Sequence, residues 1–192
     1  MAKIVVKSKV KKVKRKFPVE LKAPEVFGSV SLGKSTVTDL KAFIGKSIKM
    51  NLMYITNTIK NQTIRVFFNV ESVDSGIAKT VLTGYEQIPY YLNRFVKTGS
   101  DLLEMSFVCK TKDGINLRIK PFCVTKKNTS SLKLGDMRSK ISEIISKDVS
   151  EMNAQDFLHS VILGKVQLGY RSEIKKIFPL KSLEFKKVLI EK

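Results

Sequence analysis

One stretch of the 192-residue sequence has the residue types and spacing of a phosphate-handling loop. Residues 28–35 read G-S-V-S-L-G-K-S and fit G-x-x-x-x-G-K-[ST], in which glycines let backbone amides close on phosphates while the lysine reaches the outer phosphoryl oxygens. That chemistry needs a buried parallel strand before the loop and a helix after it, because the cradle is a helix N-terminus. The flanks do not supply them. Pro24 and the charges of Glu20, Lys22 and Glu25 interrupt the approach, and Thr36-Val37-Thr38 is β-branched material, poor for a first helical turn. A small P-loop nucleotide-binding enzyme is therefore the alternative reading, and Gly33 with Lys34 is expected to form a turn that exposes a cation.

The other reactive side chains are isolated. His159 has no neighbouring Cys, Ser or paired carboxylates in sequence, so it reads as a packing or surface residue. Cys109 and Cys123 fall where strand residues of a core would fall and are expected to be free buried thiols. No catalytic residue, metal site or cofactor is expected, since one His and no close Cys pair cannot hold a structural zinc.

Charge is the informative quantity. Lys and Arg total 36 against 17 Asp and Glu, a formal net charge of +19. Such an excess opposes compaction unless a polyanion neutralises it, which points to nucleic acid. A membrane is the other polyanion, but no segment joins a basic face to a broad apolar one, and no 18-residue apolar run is present to span a bilayer. The chain reads as soluble, without a secretory leader, and as one domain at 43% hydrophobic residues.

The elements that must position these cations come next. Residues 1–16 carry Lys7, Lys9, Lys11, Lys12, Lys14, Arg15 and Lys16 without one acid, and are expected to be an arm that orders along phosphates. Residues 17–27, with two prolines, read as an irregular lead-in to a single domain over residues 17–192. The centre of the chain is a hairpin turning at Lys112-Asp113-Gly114. Leu103, Met105, Phe107 and Cys109 share one face of the incoming strand, and Ile115, Leu117 and Ile119 one face of the outgoing strand. Lys110, Arg118 and Lys120 then share the opposite face, a surface for RNA. Beyond Pro121, a polar loop carries Lys126, Lys127 and Lys133, and Asp136 is read as the N-cap of a helix that presents Arg138 and Lys140.

Elsewhere the pattern is a meander followed by helices. Ile48, Met50, Leu52 and Tyr54 alternate with polar residues, as do Ile64, Val66, Phe68 and Val70, and residues 77–85 add a third strand. Pro89 opens a short helix with Gly99 as its expected C-cap, and Tyr90 and Tyr91 are candidates for weak base stacking. Residues 153–156 cap a helix carrying Phe157, Leu158, Val161 and Ile162 that closes at Gly164; a last helix runs to Phe178, and residues 183–190 return as a strand. The expected fold class is α+β: a mostly antiparallel, barrel-like sheet with about four helices, three of them in the C-terminal part.

Several of these stretches together resemble a known family. They are Ala23-Pro24-x-x-Phe27, the Leu32-Gly33-Lys34 turn, the run from Thr111-Lys112-Asp113-Gly114 through Leu117-Arg118-x-Lys120-Pro121, Thr125-Lys126-Lys127, and Ile177-Phe178-Pro179-Leu180-Lys181. In that order they resemble the small-subunit ribosomal protein family of archaea and eukaryotes called eukaryotic-type S-one, or S-three-A-e, in its archaeal form. The resemblance implies a cytoplasmic, ribosome-bound protein on the platform of the small subunit near the messenger RNA exit. Its implied partners are small-subunit ribosomal RNA, neighbouring ribosomal proteins and messenger RNA. It implies RNA contact by Lys112, Arg118, Lys120, Lys126 and Lys127, with Arg138 and Lys140 at the start of a basic helix. Residues 128–135 depart from the family pattern, with Asn, Thr, Ser and Leu where the resemblance implies more Arg and a Gln. A third reading, a free RNA-binding regulator, keeps the charge argument without a permanent subunit partner.

Overall fold

Period-two alternation produces strands wherever one face finds a core. The computed structural model describes residues 16–191, among which nine strands form one sheet and five α-helices accompany it. A first hairpin-like pair is β1 (Phe17–Lys22) with β2 (Ser31–Val37). The meander follows as β3 (Ser47–Asn51), β4 (Ile64–Asp74) and β5 (Ile77–Gln87). Then come β6 (Leu102–Glu104), β7 (Phe107–Lys110), β8 (Asn116–Thr125) and the C-terminal β9 (Leu180–Glu191). The helices are α1 (Leu52–Thr56), α2 (Pro89–Asn93), α3 (Ser131–Glu151), α4 (Ala154–Ile162) and α5 (Lys165–Ile174).

The sheet runs β2-β1-β5-β9-β8-β6, with β3 and β4 branching from β5 and β7 lying beside β8. All ladders are antiparallel except β1 with β5. The α+β, mostly antiparallel expectation holds, with three substantial helices in the C-terminal part, and the sheet is open because it branches at β5. Along its Gly84 to Glu86 section β5 pairs with β9, and along Ile77 to Lys79 it pairs with β1. Gly84 lets the first of these ladders close, since a Cβ there would lie 2.4 Å from Leu189 Cδ2 and 3.0 Å from the Val188 carbonyl oxygen.

One face of the sheet carries Val66, Phe68, Leu117, Ile119, Phe185 and Val188, all fully buried. Against it lie the apolar stripes of α3 (Met137, Ile141, Ile145, Val149) and α4 (Phe157, Leu158, Val161), with Tyr170 and Ile174 of α5. At about 1.5–3 kcal/mol per large side chain removed from water, this layer is the main stabilising term. The other face is covered only locally: Leu92 of α2 packs on Phe122 and Val124, which is why the end of β8 is buried on both sides.

Several local expectations are corrected. Residues 17–22, read as an irregular lead-in, form β1, because Val19 and Leu21 turn inward while Pro18 is accommodated in the strand. The helix expected to start at Asp136 starts at Ser131 with Ser130 at its N-cap, so Lys133 and Asp136 lie within α3. Leu52 and Tyr54 belong to α1, which begins where the Asn51 side chain accepts a bond from the Met53 amide at 2.9 Å. The incoming strand of the central hairpin breaks into β6 and β7 around Met105 and Ser106, opposite the irregularity at Lys120 and Pro121 of β8. α2 ends at Asn93, and Gly99 takes a positive φ of 80° in the loop beyond it.

Candidate nucleic-acid interface

The phosphate-loop motif does not build a cradle. Gly28 ends a short 3-10 turn with φ 72°, and residues 31–35 run into β2, where Lys34 stands opposite Glu20 of β1. Gly33, expected in a turn with Lys34, instead sits in the ladder opposite Leu21 with φ 114°. A strand follows the lysine where a helix would be required, so the P-loop alternative is overturned on geometry. Lys34 remains an exposed cation on an edge strand.

The central hairpin is better built. Thr111 closes its turn: its amide donates to the Ile115 carbonyl at 3.0 Å, its hydroxyl accepts from the Ile115 amide at 3.2 Å, and its carbonyl accepts from the Gly114 amide at 2.9 Å. Gly114 has φ 76°, a conformation that costs a glycine little. Asp113 has a role that the turn pattern did not suggest. Its carboxylate accepts a bond from the Ala154 amide at 3.1 Å, at the start of α4, and the Lys112 amide donates to the Met152 carbonyl at 3.2 Å. The turn is thereby tied to the helical layer, and the basic strand is held flat against it.

From this anchor the outer face of β8 presents Arg118 and Lys120, with Lys110 of β7 opposite Asn116. Arg118 forms an ion pair with Glu191 of β9. Lys120 lies directly opposite Lys187 across the β8–β9 ladder. Like charges so placed repel. Lys187 reaches Glu86 at 3.7 Å, and among the described residues Lys120 has no carboxylate partner. Register then continues the row through Glu86 of β5 to Arg65 of β4, about 14 Å from β8 at one strand spacing per step. Glu86 also pairs with Lys49 of β3. Partial burial works against ionisation of Glu86, but its hydrogen bond to Lys49 and the charges of Lys49, Lys187 and Arg65 outweigh that and hold its carboxyl below the usual range.

The remaining expected cations lie elsewhere. Lys126 and Lys127 are exposed in the β8–α3 connection, where the Lys126 amide donates to the Pro179 carbonyl at 3.0 Å and Lys133 lies 5.8 Å from the Phe178 ring. Arg138 is exposed on α3, while Lys140 is half-buried and paired with Glu143 at 2.9 Å. Since α3 packs on the inner face, with Ser146 Oγ 3.3 Å from Cys109 Sγ, Arg138 and Lys140 belong to a different side from Arg118 and Lys120. Lys112 is exposed at the turn, and Lys16 is exposed just before β1. Lys7, Lys9, Lys11, Lys12, Lys14 and Arg15 lie outside the described residues.

Lys49, Arg65 and Lys187 were not singled out from sequence. Their alternation with apolar residues was visible, but only the ladder register aligns them with Lys120. Of the two tyrosines proposed for stacking, Tyr90 is 85% exposed. Tyr91 packs edge-on to Phe95 and is covered by Arg94, 4.3 Å from its ring centroid. His159 packs edge-on near Phe27, with ring centroids 6.4 Å apart, as a packing residue would. Cys109 and Cys123 are buried and free, as expected, and burial pushes the Cys123 thiol up to about 12. No helix among the described residues is long and apolar enough to cross a membrane.

The model of the Ribosomal S3Ae family matches residues 5–192. This chain belongs to that family. It is 26% identical over 168 residues to the small ribosomal subunit protein eS1 of Methanothrix thermoacetophila, covering 88% of this chain and 80% of the relative. The Saccharolobus islandicus protein of the same name is 29% identical over 170 residues, covering 88% and 82%. That of Methanococcus vannielii is 28% identical over 169 residues, covering 88% and 77%. The expected resemblance to the archaeal form of the family is thereby borne out. A member of the Ribosomal S3Ae family is a structural constituent of the ribosome and not an enzyme, in agreement with the strand that occupies the phosphate-loop motif.

Proposed function

We propose that this Ribosomal S3Ae protein is a cytoplasmic, ribosome-bound component of the small subunit that binds its ribosomal RNA by shape and phosphate placement. Neighbouring small-subunit proteins are its further partners, and its position is the platform near the messenger RNA exit, within reach of messenger RNA. The observation that carries this reading is the outer sheet face, where Lys120 opposes Lys187 and Lys110 and Arg118 lie alongside. A like-charge pair across a ladder is a cost in the free protein that RNA phosphates remove. Lys112, Lys126 and Lys127 extend the contact around the hairpin, Arg138 and Lys140 supply a contact on the helical side, and Lys34 adds one at the sheet edge. Residues 1–16 serve as a basic arm that follows phosphates, ahead of a single ribosomal-protein domain at 17–192.

The test is binding of the purified protein to small-subunit ribosomal RNA across a salt series. Each phosphate contact removed should reduce the slope of log K against log salt by about 0.7–0.9, so the double variant Arg118→Gln, Lys120→Gln should flatten it by about 1.5 with its melting curve unchanged. Gradient sedimentation separates the subunit component from a free RNA-binding regulator. Cosedimentation with small subunits in low salt is expected, and a predominantly free pool would refute the assignment.

A further inference from the structure

The β5–β9 ladder is only three residue pairs long, Gly84 to Glu86 against Leu189 to Lys187, and beyond Gly84 the two strands part. Ile190 and Glu191 of β9 then pair with β8 alone. At this fork the outer face has a groove of about 350 Å³ lined by Ser47, Phe67, Asn69, Thr83, Leu189 and Ile190. Its origin is local: the missing side chain at Gly84 lets Phe67 and Leu189 approach each other across β5.

The register places three kinds of group in order along the strands. The Arg65–Glu86–Lys187 row is cationic. The Phe67–Gly84–Leu189 row is apolar, with Lys49 opposite Phe67 on β3. Ser47 and Asn69, opposite each other on β3 and β4, supply hydroxyl and amide groups on the far side. Lys49 and Lys187 lie over the Phe67 ring, 5.0 and 5.7 Å from its centroid, so a phosphate that draws these ammonium groups aside uncovers the ring for a base. The cationic and polar rows are four residues apart on β4, about 13 Å, and the apolar row lies midway, about 7 Å from each. A nucleotide backbone on the lysines can therefore turn its base onto the ring and carry its edge toward Ser47 and Asn69.

We propose that this groove seats an unpaired nucleotide of RNA, with its base against Phe67 and Leu189 and its phosphates on Lys49, Lys187 and Arg65. The inference rests on the RNA reading above and adds a single-strand-specific element to it, since a base inside a duplex cannot enter the groove. Glu86 pairs with Lys49 and Lys187 and so competes with phosphate for them, a competition that Glu86→Gln removes.

The experiment compares a short oligouridine with an RNA hairpin duplex of equal phosphate number, titrated into the full chain. Stacking on one aromatic ring is worth enough that Phe67→Leu should lower oligouridine affinity about fivefold or more while leaving duplex affinity within about twofold, and Phe67→Tyr should restore it. The sequence contains no tryptophan, so Phe67→Trp adds a single fluorophore that oligouridine should quench and the duplex should not. Equal loss for both RNAs, an unchanged oligouridine affinity in Phe67→Leu, or quenching by both RNAs alike would overturn the groove. Binding of both RNAs without dependence on Phe67 would remove the groove alone, whereas binding of neither would remove the RNA reading with it. Should Phe67→Leu fail to fold, the Phe67→Tyr affinities and the Phe67→Trp quenching decide the matter.

Discussion

Glu86 and Glu184 are carboxylates placed in opposite electrostatic settings, one at the centre of the cationic row and one half-buried on β9. The bond from Lys49 and the charges of Lys187 and Arg65 lower the folded-state pKa of Glu86. Its contribution to stability is present above the unfolded-state value and is lost as pH falls through the lowered one. Burial raises that of Glu184, with Arg171 only partly offsetting it, so its contribution is full below the unfolded-state value and is lost as pH rises through the raised one. Glu184→Gln should therefore remove part of the loss of stability as pH rises above the ordinary carboxylate range, whereas Glu86→Gln should remove part of the loss on acidification; melting temperatures over a pH series check both signs. Glu86→Gln should also tighten RNA at neutral pH, because it frees two lysines. Cys123 gives a simpler prediction: with its thiol at about 12 and buried, it should resist alkylation at pH 8 in the native protein and react on unfolding.

At the scale of elements, the hairpin turn and α4 behave as one unit because Asp113 binds the start of that helix. Asp113→Ala should cost about 1 kcal/mol, in the range of a lost helix cap, and Asp113→Asn should recover part of it; denaturant midpoints measure both. Gly84→Ala should cost about 1–3 kcal/mol, because the added methyl meets the Leu189 side chain and the Val188 carbonyl oxygen at the end of a ladder only three pairs long. The hairpin was legible in the sequence because its alternation is strict and its turn carries a glycine in the left-handed region. α4 was legible for a similar reason, with its apolar stripe running from Ala154 to Ile162. β1 was not, since Pro18 within it and Pro24 just after it suggested irregular backbone while its stability comes from β2 and from a parallel ladder to β5 far along the chain. The start of α3 was missed because Ser130 and Asp136 are both cap-type residues; the helix takes the earlier start without a side-chain bond from Ser130, and Leu134 of its first turn packs against the core. The candidate surface was half legible. Arg118 and Lys120 follow from strand parity alone, but Lys49, Arg65 and Lys187 join them only through long-range register.

For the molecule as a whole, the two sides carry different charge patterns: a flat row of cations on the sheet and scattered cations on the helices. Neutralising Arg138 and Lys140 together with Arg118 and Lys120 should reduce the salt slope by about the sum of the separate losses, since independent phosphate contacts add. A combined loss equal to either pair alone would show that only one side meets RNA. The position of β9 has a further consequence. The last strand of the chain lies at the middle of the sheet, between β5 and β8. During synthesis, β8 and β5 therefore wait with open edges until residues 180–191 have emerged, and the body of the sheet closes only once β9 is added. Nascent chains stalled before Leu180 should be protease-sensitive and prone to edge-to-edge association, and emergence of β9 should be the event that makes the sheet competent to bind its partners.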